Sequence, residues 1–221
     1  MESRVFILSP ARLDGKRADV LFHPRTPFPL AMKLRTIEGA PIGEVFRFLS
    51  GLYFRGKLAY AARFARPPIP LIGPAPPPRP LKAAWIGSGV LVITANRGMV
   101  PAETRVCLEH LEAFAQTDIH QDEREFRAPL DRDAALLQKD IGEGEVVLLG
   151  SIASKKYVEP LLGVFGDRLL FPSDFVGRGD MSRGGLLLRK VDEGAELPYI
   201  PVKGAVRHGA RPPRLSPRKR A

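Results

Sequence analysis

The chain has 221 residues, 44% of them hydrophobic, a net charge of +10 and a single cysteine, Cys107. That length suits one large or two small domains with a core that needs no staples, and one cysteine excludes an internal disulfide. Four isolated histidines offer no metal spacing, no cofactor is expected, no apolar run is long enough to span a membrane, and no signal-type apolar region opens the chain, so the expectation is a cytoplasmic protein that makes no membrane contact.

The charge is unevenly placed. Residues 1–100 carry 15 basic and 5 acidic side chains, residues 101–145 carry 5 and 12, and the last 19 residues add seven cations with no acid. Two basic regions flanking an acidic one suit a protein with one face on a polyanion and another in water.

In chain order, Val5–Leu8 is a continuous apolar run closed by Ser9-Pro10 and reads as a buried strand. Residues 18–41 read as mostly irregular, with a short helix possible over Leu30–Thr36. From Glu44 to Ala65, Val45, Leu49, Leu52, Leu58, Ala61 and Phe64 recur at helical spacing, and Ser50-Gly51 and Gly56 interrupt them, so two helices or one broken helix are expected. Residues 66–82 are proline-rich and can be neither helix nor central strand; they read as a linker or an insertion within one domain spanning 1–202.

Val90–Thr94 is a second buried strand ending at the Asn96-Arg97-Gly98 turn. Glu103–Gln116 and Asp131–Ile141 read as amphipathic helices, the second capped by Asp131. Val146–Leu149 and Arg168–Phe171 are two more strands, with a helix-like stretch through Tyr157, Leu161, Leu162 and Phe165 between them. Strands alternating with helices predict an α/β fold, a mixed and mostly parallel central sheet flanked by helices. Ligands of such sheets bind beyond the carboxyl ends of the strands, which directs attention to Ser9–Arg12, Ala95–Met99, Gly150–Lys156 and Ser173–Arg183.

Within those loops, Phe175–Gly185 places Arg178, Ser182 and Arg183 among the glycines Gly177 and Gly179, a set that can form an anion-binding concavity; a structural turn leading into Leu186–Leu188 is the other reading. Ser151, Lys155 and Lys156 follow the third strand, where a helix capped by Ser154 would attract an anion or would simply carry solvated lysines. Neither Gly15-Lys16 nor Gly56-Lys57 has phosphate-loop spacing. Cys107 reads as a small buried hydrophobe, and the pairs Glu123/Glu125 and Asp131/Asp133 as solvated surface. From residue 203 onward the chain is proline-rich and basic, reads as disordered when free, and offers Lys203, Arg207, Arg211, Arg214, Arg218, Lys219 and Arg220 for electrostatic binding.

Val5-Phe6-Ile7-Leu8-Ser9-Pro10-Ala11-Arg12, Gly150-Ser151-Ile152-Ala153-Ser154-Lys155-Lys156-Tyr157 and Gly177-Arg178-Gly179-Asp180-Met181-Ser182-Arg183 occur in the order of motifs found in the YaaA peroxide-stress protein family, which the chain resembles. Arg12 stands where that family has lysine, and Leu49-Ser50-Gly51-Leu52-Tyr53 lies earlier than its counterpart. The resemblance implies an α/β fold with a positive cleft, DNA binding and a role in limiting oxidative damage; it supplies no catalytic residue. More distantly, the arrangement looks like small α/β proteins associated with nucleobase modification. Two functions stand: nucleic-acid binding, DNA in particular, or an enzyme acting on a nucleotide or nucleobase in the same cleft. A third, a protein-interaction module working through the proline tract, would also fit.

Overall fold

The computed structural model describes residues 3–68, 88–153, 155–206, 209–213 and 215. Its core is a six-stranded sheet in the order β4-β3-β1-β6-β7-β8, where β1 is Arg4–Leu8, β3 Val90–Ile93, β4 Met99–Pro101, β6 Glu145–Leu149, β7 Leu169–Pro172 and β8 Tyr199–Pro201. The four central strands are parallel, in registers such as Phe6↔Val90, Phe6↔Val147 and Val146↔Leu169, while the two edge strands run antiparallel. Val5 to Leu8, Val90 to Ile93 and Val146 to Leu149 are all buried, as strands covered on both faces must be, and this explains their unbroken apolar runs. Both edge strands are three residues long and end in proline.

The helices are α1 (Lys16–Phe22), α2 (Pro29–Leu34), α3 (Ile42–Ser50), α4 (Leu52–Phe64), α5 (Leu108–Gln116), α6 (Arg124–Ile141), α7 (Lys155–Phe165) and α8 (Asp180–Glu193). A small two-stranded pairing joins β2 (Ala40–Pro41) to β5 (Arg105–Val106). The break at Ser50-Gly51 separates α3 from α4, as its glycine suggests. Gly56 does not interrupt α4; it packs against α8. A Cβ on Gly56 would lie 2.7 Å from the Gly184 carbonyl oxygen, and one on Gly184 would lie 2.7 Å from that of Leu52, so the two helices touch backbone to backbone.

Several local expectations are corrected. The short helix expected over Leu30–Thr36 is present as α2, but α1, which runs into the segment 18–41 read as mostly irregular, was not expected. The segment from Glu103 opens with β5, and its helix starts only at Leu108. Asp131 does not cap a helix; it lies inside α6, which begins seven residues earlier, and takes an i,i+4 ion pair from Arg127 at 3.2 Å. α6 carries Pro129 internally. Glu123 caps α6, accepting from the Glu125 backbone N–H at 3.2 Å, and Asp133 is not surface at all but buried, accepting from the Met99 N–H at 2.9 Å. The apolar run Leu186–Leu188 belongs to α8, which starts at Asp180 with Gly179 as its N-cap. Residues 69–82 of the proline-rich segment lie outside the described residues, as do Ser154, Arg207, Arg214, Arg218, Lys219 and Arg220.

Candidate functional site

Because β3, β1, β6 and β7 are parallel, their carboxyl ends share one edge, and the segments after β1, β3 and β6 meet there around a cleft of about 340 Å³. Phe46 of α3, Phe114 of α5 and Tyr157 of α7 give it aromatic walls. Ser9 and Ala95 come from strand ends, and Arg12 and Lys156 bring cations, matched by Asp14 and Asp118. Arg12 is well exposed and ion-paired with Asp14, so the cleft lining carries both signs of charge.

Beneath Ser9 lies a group that its sequence context as a failed phosphate loop does not announce. Lys57 of α4 is 1% exposed. Its Nζ donates to the Ser9 carbonyl at 2.7 Å and lies 2.9 Å from Ser9 Oγ. The rings of Tyr53 and Phe54 flank the amine, each centroid 4.7 Å away. Burial pushes the Lys57 amine down from the usual lysine value of 10.5 to about 7; Asp180 opposes that fall and Arg183 adds to it. An amine poised near neutrality is the state in which lysine can act as a base or a nucleophile.

Tyr53, one helical turn before Lys57, is also buried, and its Oη has no hydrogen-bond partner among the described residues. Burial pushes this hydroxyl up, with Arg183 lowering it and Asp180 and Tyr157 raising it, so α4, α7 and α8 all bring polar groups toward the same region.

Of the residues singled out from sequence, Ser9, Arg12 and Lys156 line the cleft, and Arg183 reaches the Lys57 neighbourhood from α8. Arg178 and Arg183 are not open anion forks. Arg178 donates to the Asp174 carbonyl at 2.9 Å, to Ser182 Oγ at 3.2 Å and to the Pro213 carbonyl at 3.5 Å. Arg183 donates to the Phe175 carbonyl at 3.2 Å through Nη2 and sits over the Phe175 ring. Ser182 thus serves as an acceptor for Arg178, and Gly179 is the N-cap of α8. Gly177, at φ 71°, is crossed by the C-terminal chain: a Cβ there would lie 2.1 Å from the Ala210 carbonyl oxygen. Ser151 is half-buried outside the cleft lining, Lys155 is exposed and pairs with Glu159 at 3.9 Å, Lys203 pairs with Asp167 at 3.3 Å, and Arg211 is exposed.

No group of histidine, cysteine, aspartate and glutamate among the described residues could hold a metal ion, and no helix among them is long and apolar enough to cross a membrane. No family model, curated protein or solved structure matches the chain.

Proposed function

We propose that the protein is an enzyme acting on a nucleotide or nucleobase held in the cleft at the carboxyl edge of the sheet. The observation that carries this reading is the buried Lys57 amine against Ser9 at the base of the cleft. Groups whose ionisation is strongly shifted by burial, beside a cleft, concentrate at reactive sites, and Lys57 bonds directly to the cleft-lining Ser9. The aromatic walls suit a planar base, and Arg12 and Lys156 at the rim suit its phosphate. Of the segments that resemble the YaaA family, Val5–Arg12 and Leu149–Tyr157 supply Ser9 to Arg12, Lys156 and Tyr157 to the cleft, and Gly177–Arg183 brings Asp180 and Arg183 to bear on Lys57. The test is a thermal-shift series with mononucleotides, free nucleobases and duplex or single-stranded DNA. Stabilisation by one nucleotide or base class, lost in Phe114→Ala, supports the reading; no shift with any small ligand overturns it.

A second reading, binding of nucleic acid and DNA in particular, with a part in DNA protection under oxidative stress, is favoured by the net charge of +10 and by Arg12 and Lys156 at the cleft. Its signature is affinity for oligonucleotides that falls steeply with salt as counterions are released. Both readings suit a cytoplasmic protein.

A further inference from the structure

We propose that Ser9 and Lys57 form a serine–lysine nucleophilic couple that cleaves an acyl ester or amide carried by the ligand in the cleft, an inference that rests on the reading of that cleft as a nucleotide or nucleobase site. The geometry supplies the division of labour. A carbonyl oxygen can only accept, so Lys57 Nζ must donate to Ser9 O at 2.7 Å, which fixes the direction in which the amine points. Ser9 Oγ, 2.9 Å away, can donate as well as accept, so a neutral amine can offer its lone pair to the hydroxyl proton while keeping its bond to the carbonyl. Ser9, 6% exposed, lines the cleft, and Lys57, 1% exposed, does not, so a ligand reaches the couple at Ser9. Such couples, like the serine–histidine pairs they parallel, are recognised by geometry and role and not by chain position.

The groups facing the amine are few. Ser9 comes from the end of β1, Tyr53 and Phe54 from α4 itself, and Asp180 and Arg183 act on it from α8. Among the described residues no carboxylate hydrogen-bonds to Nζ, and Asp180 acts on the amine only through space. Arg178 and Arg183 bond carbonyls of their own chain, and the cleft cations Arg12 and Lys156 lie at its rim, where they suit a phosphate of the ligand while the carbonyl meets Ser9.

In the first step Lys57 takes the Ser9 hydroxyl proton as Oγ bonds to the substrate carbonyl carbon and the carbonyl π pair moves onto its oxygen. The adduct collapses with cleavage of the carbon–heteroatom bond, and the leaving alcohol or amine takes the proton from Lys57. Water then repeats the sequence: Lys57 removes its proton, hydroxide adds to the acyl carbon, and Ser9 Oγ leaves and is reprotonated. The sum is one ester or amide plus one water giving an acid and an alcohol or amine. Pro10 follows Ser9 and has no N–H, so oxyanion donors must come from the adjoining strand end. There Gly150 approaches so closely that a Cβ on it would lie 2.9 Å from Ser9 Cβ.

The test uses the intact protein and a fluorophosphonate probe, with labelled peptides identified by mass spectrometry across pH 5–9. The expected result is labelling of Ser9 at a rate that rises about tenfold per pH unit below pH 7 and levels above it. Labelling should be absent in Ser9→Ala and slowed at least 100-fold in Lys57→Met. Labelling of Ser9 that is independent of pH, labelling that persists in a folded Lys57→Met, or no labelling of the folded wild type overturns the couple. Should Lys57→Met fail to fold, the wild-type pH profile decides alone. A nucleotide that stabilises the protein while Ser9 stays unlabelled removes the couple and leaves the nucleotide reading; Ser9 labelling that no nucleotide or base protects does the reverse.

Discussion

Replacing Lys57 with methionine separates the electrostatics of this buried amine from its packing. The unfolded chain titrates the amine near 10.5 and the folded chain near 7, a gap of about 3.5 pH units. At about 1.36 kcal/mol per unit this is about 5 kcal/mol, an upper figure for how much the folded state disfavours the charged amine. The sign follows from proton counting. Between pH 7 and 10.5 the unfolded chain holds a proton that the folded chain has lost, so wild-type stability rises with pH through that window and is flat below it. Lys57→Met lacks the titration but also loses the bonds to Ser9 and the ring contacts, costs that do not vary with pH. The difference between the two proteins, measured by urea denaturation at pH 6, 7, 8 and 9, therefore isolates the amine. The wild type should gain on the variant by about 1.4 kcal/mol from pH 8 to 9 but only by about 0.4 kcal/mol from pH 6 to 7. A difference that stays constant from pH 6 to 9 would show that the amine keeps its proton inside the fold, held by the Tyr53 and Phe54 faces, and would refute the reasoning about its reactivity.

Other consequences are testable in the same way. Gly184→Ala should cost about 1–2 kcal/mol in urea melts, because overpacking of two backbones exceeds the helix-propensity gain of about 1 kcal/mol; neutrality would show that α4 and α8 can part. Asp133→Ala should cost about 1–3 kcal/mol by leaving the Met99 N–H unpaired. Burial raises the Asp133 carboxyl, so the folded state keeps its proton to higher pH than the unfolded chain does; this contribution favours folding in acid and is lost as pH rises through the raised value, and a wild type whose stability relative to Asp133→Asn does not fall over that range would contradict it. Arg4→Met leaves Glu145 and Glu196 without their shared cation and should cost about 2 kcal/mol in chemical melts, given that all three side chains are only partly exposed. Truncation after Val202 removes the contacts of Ala210 and Pro213 with the Gly177-Arg178 loop. If oligonucleotides bind through the cleft rim, fluorescence anisotropy should show a modest loss of affinity and a shallower salt slope, whereas complete loss would place binding in the tail.

The sheet was legible because each central strand is buried on both faces and so reads as an unbroken apolar run: Val5–Leu8, Val90–Thr94 and Val146–Leu149 announce themselves. The parallel arrangement followed from the helices between them, and with it the edge on which the cleft forms. Helix ends were less readable, since Pro129 sits inside α6 and the glycines of Gly177–Gly185 serve a loop, a cap and a helix crossing in turn. The arginines of that segment read as anion donors, and the carbonyls of their own chain that they bond are partners that no local pattern reveals. Lys57 left a fainter trace. Tyr53, Lys57, Tyr60, Ala61 and Phe64 fall on one face of α4, so a lysine interrupts an otherwise apolar stripe; that spacing was the available signal, and its partner Ser9 lies 48 residues away.

The short, proline-ended strands at either margin of the sheet also limit how the molecule can meet others. Proline has no N–H to offer, and three residues give a visiting strand little ladder to extend, so β4 and β8 are poor templates for edge-to-edge growth. Strand addition, the commonest way for an α/β sheet to recruit an extended peptide or a second sheet, is thereby discouraged along both margins among the described residues. Association is directed instead to helix surfaces and to the open carboxyl edge, the same edge on which the cleft lies.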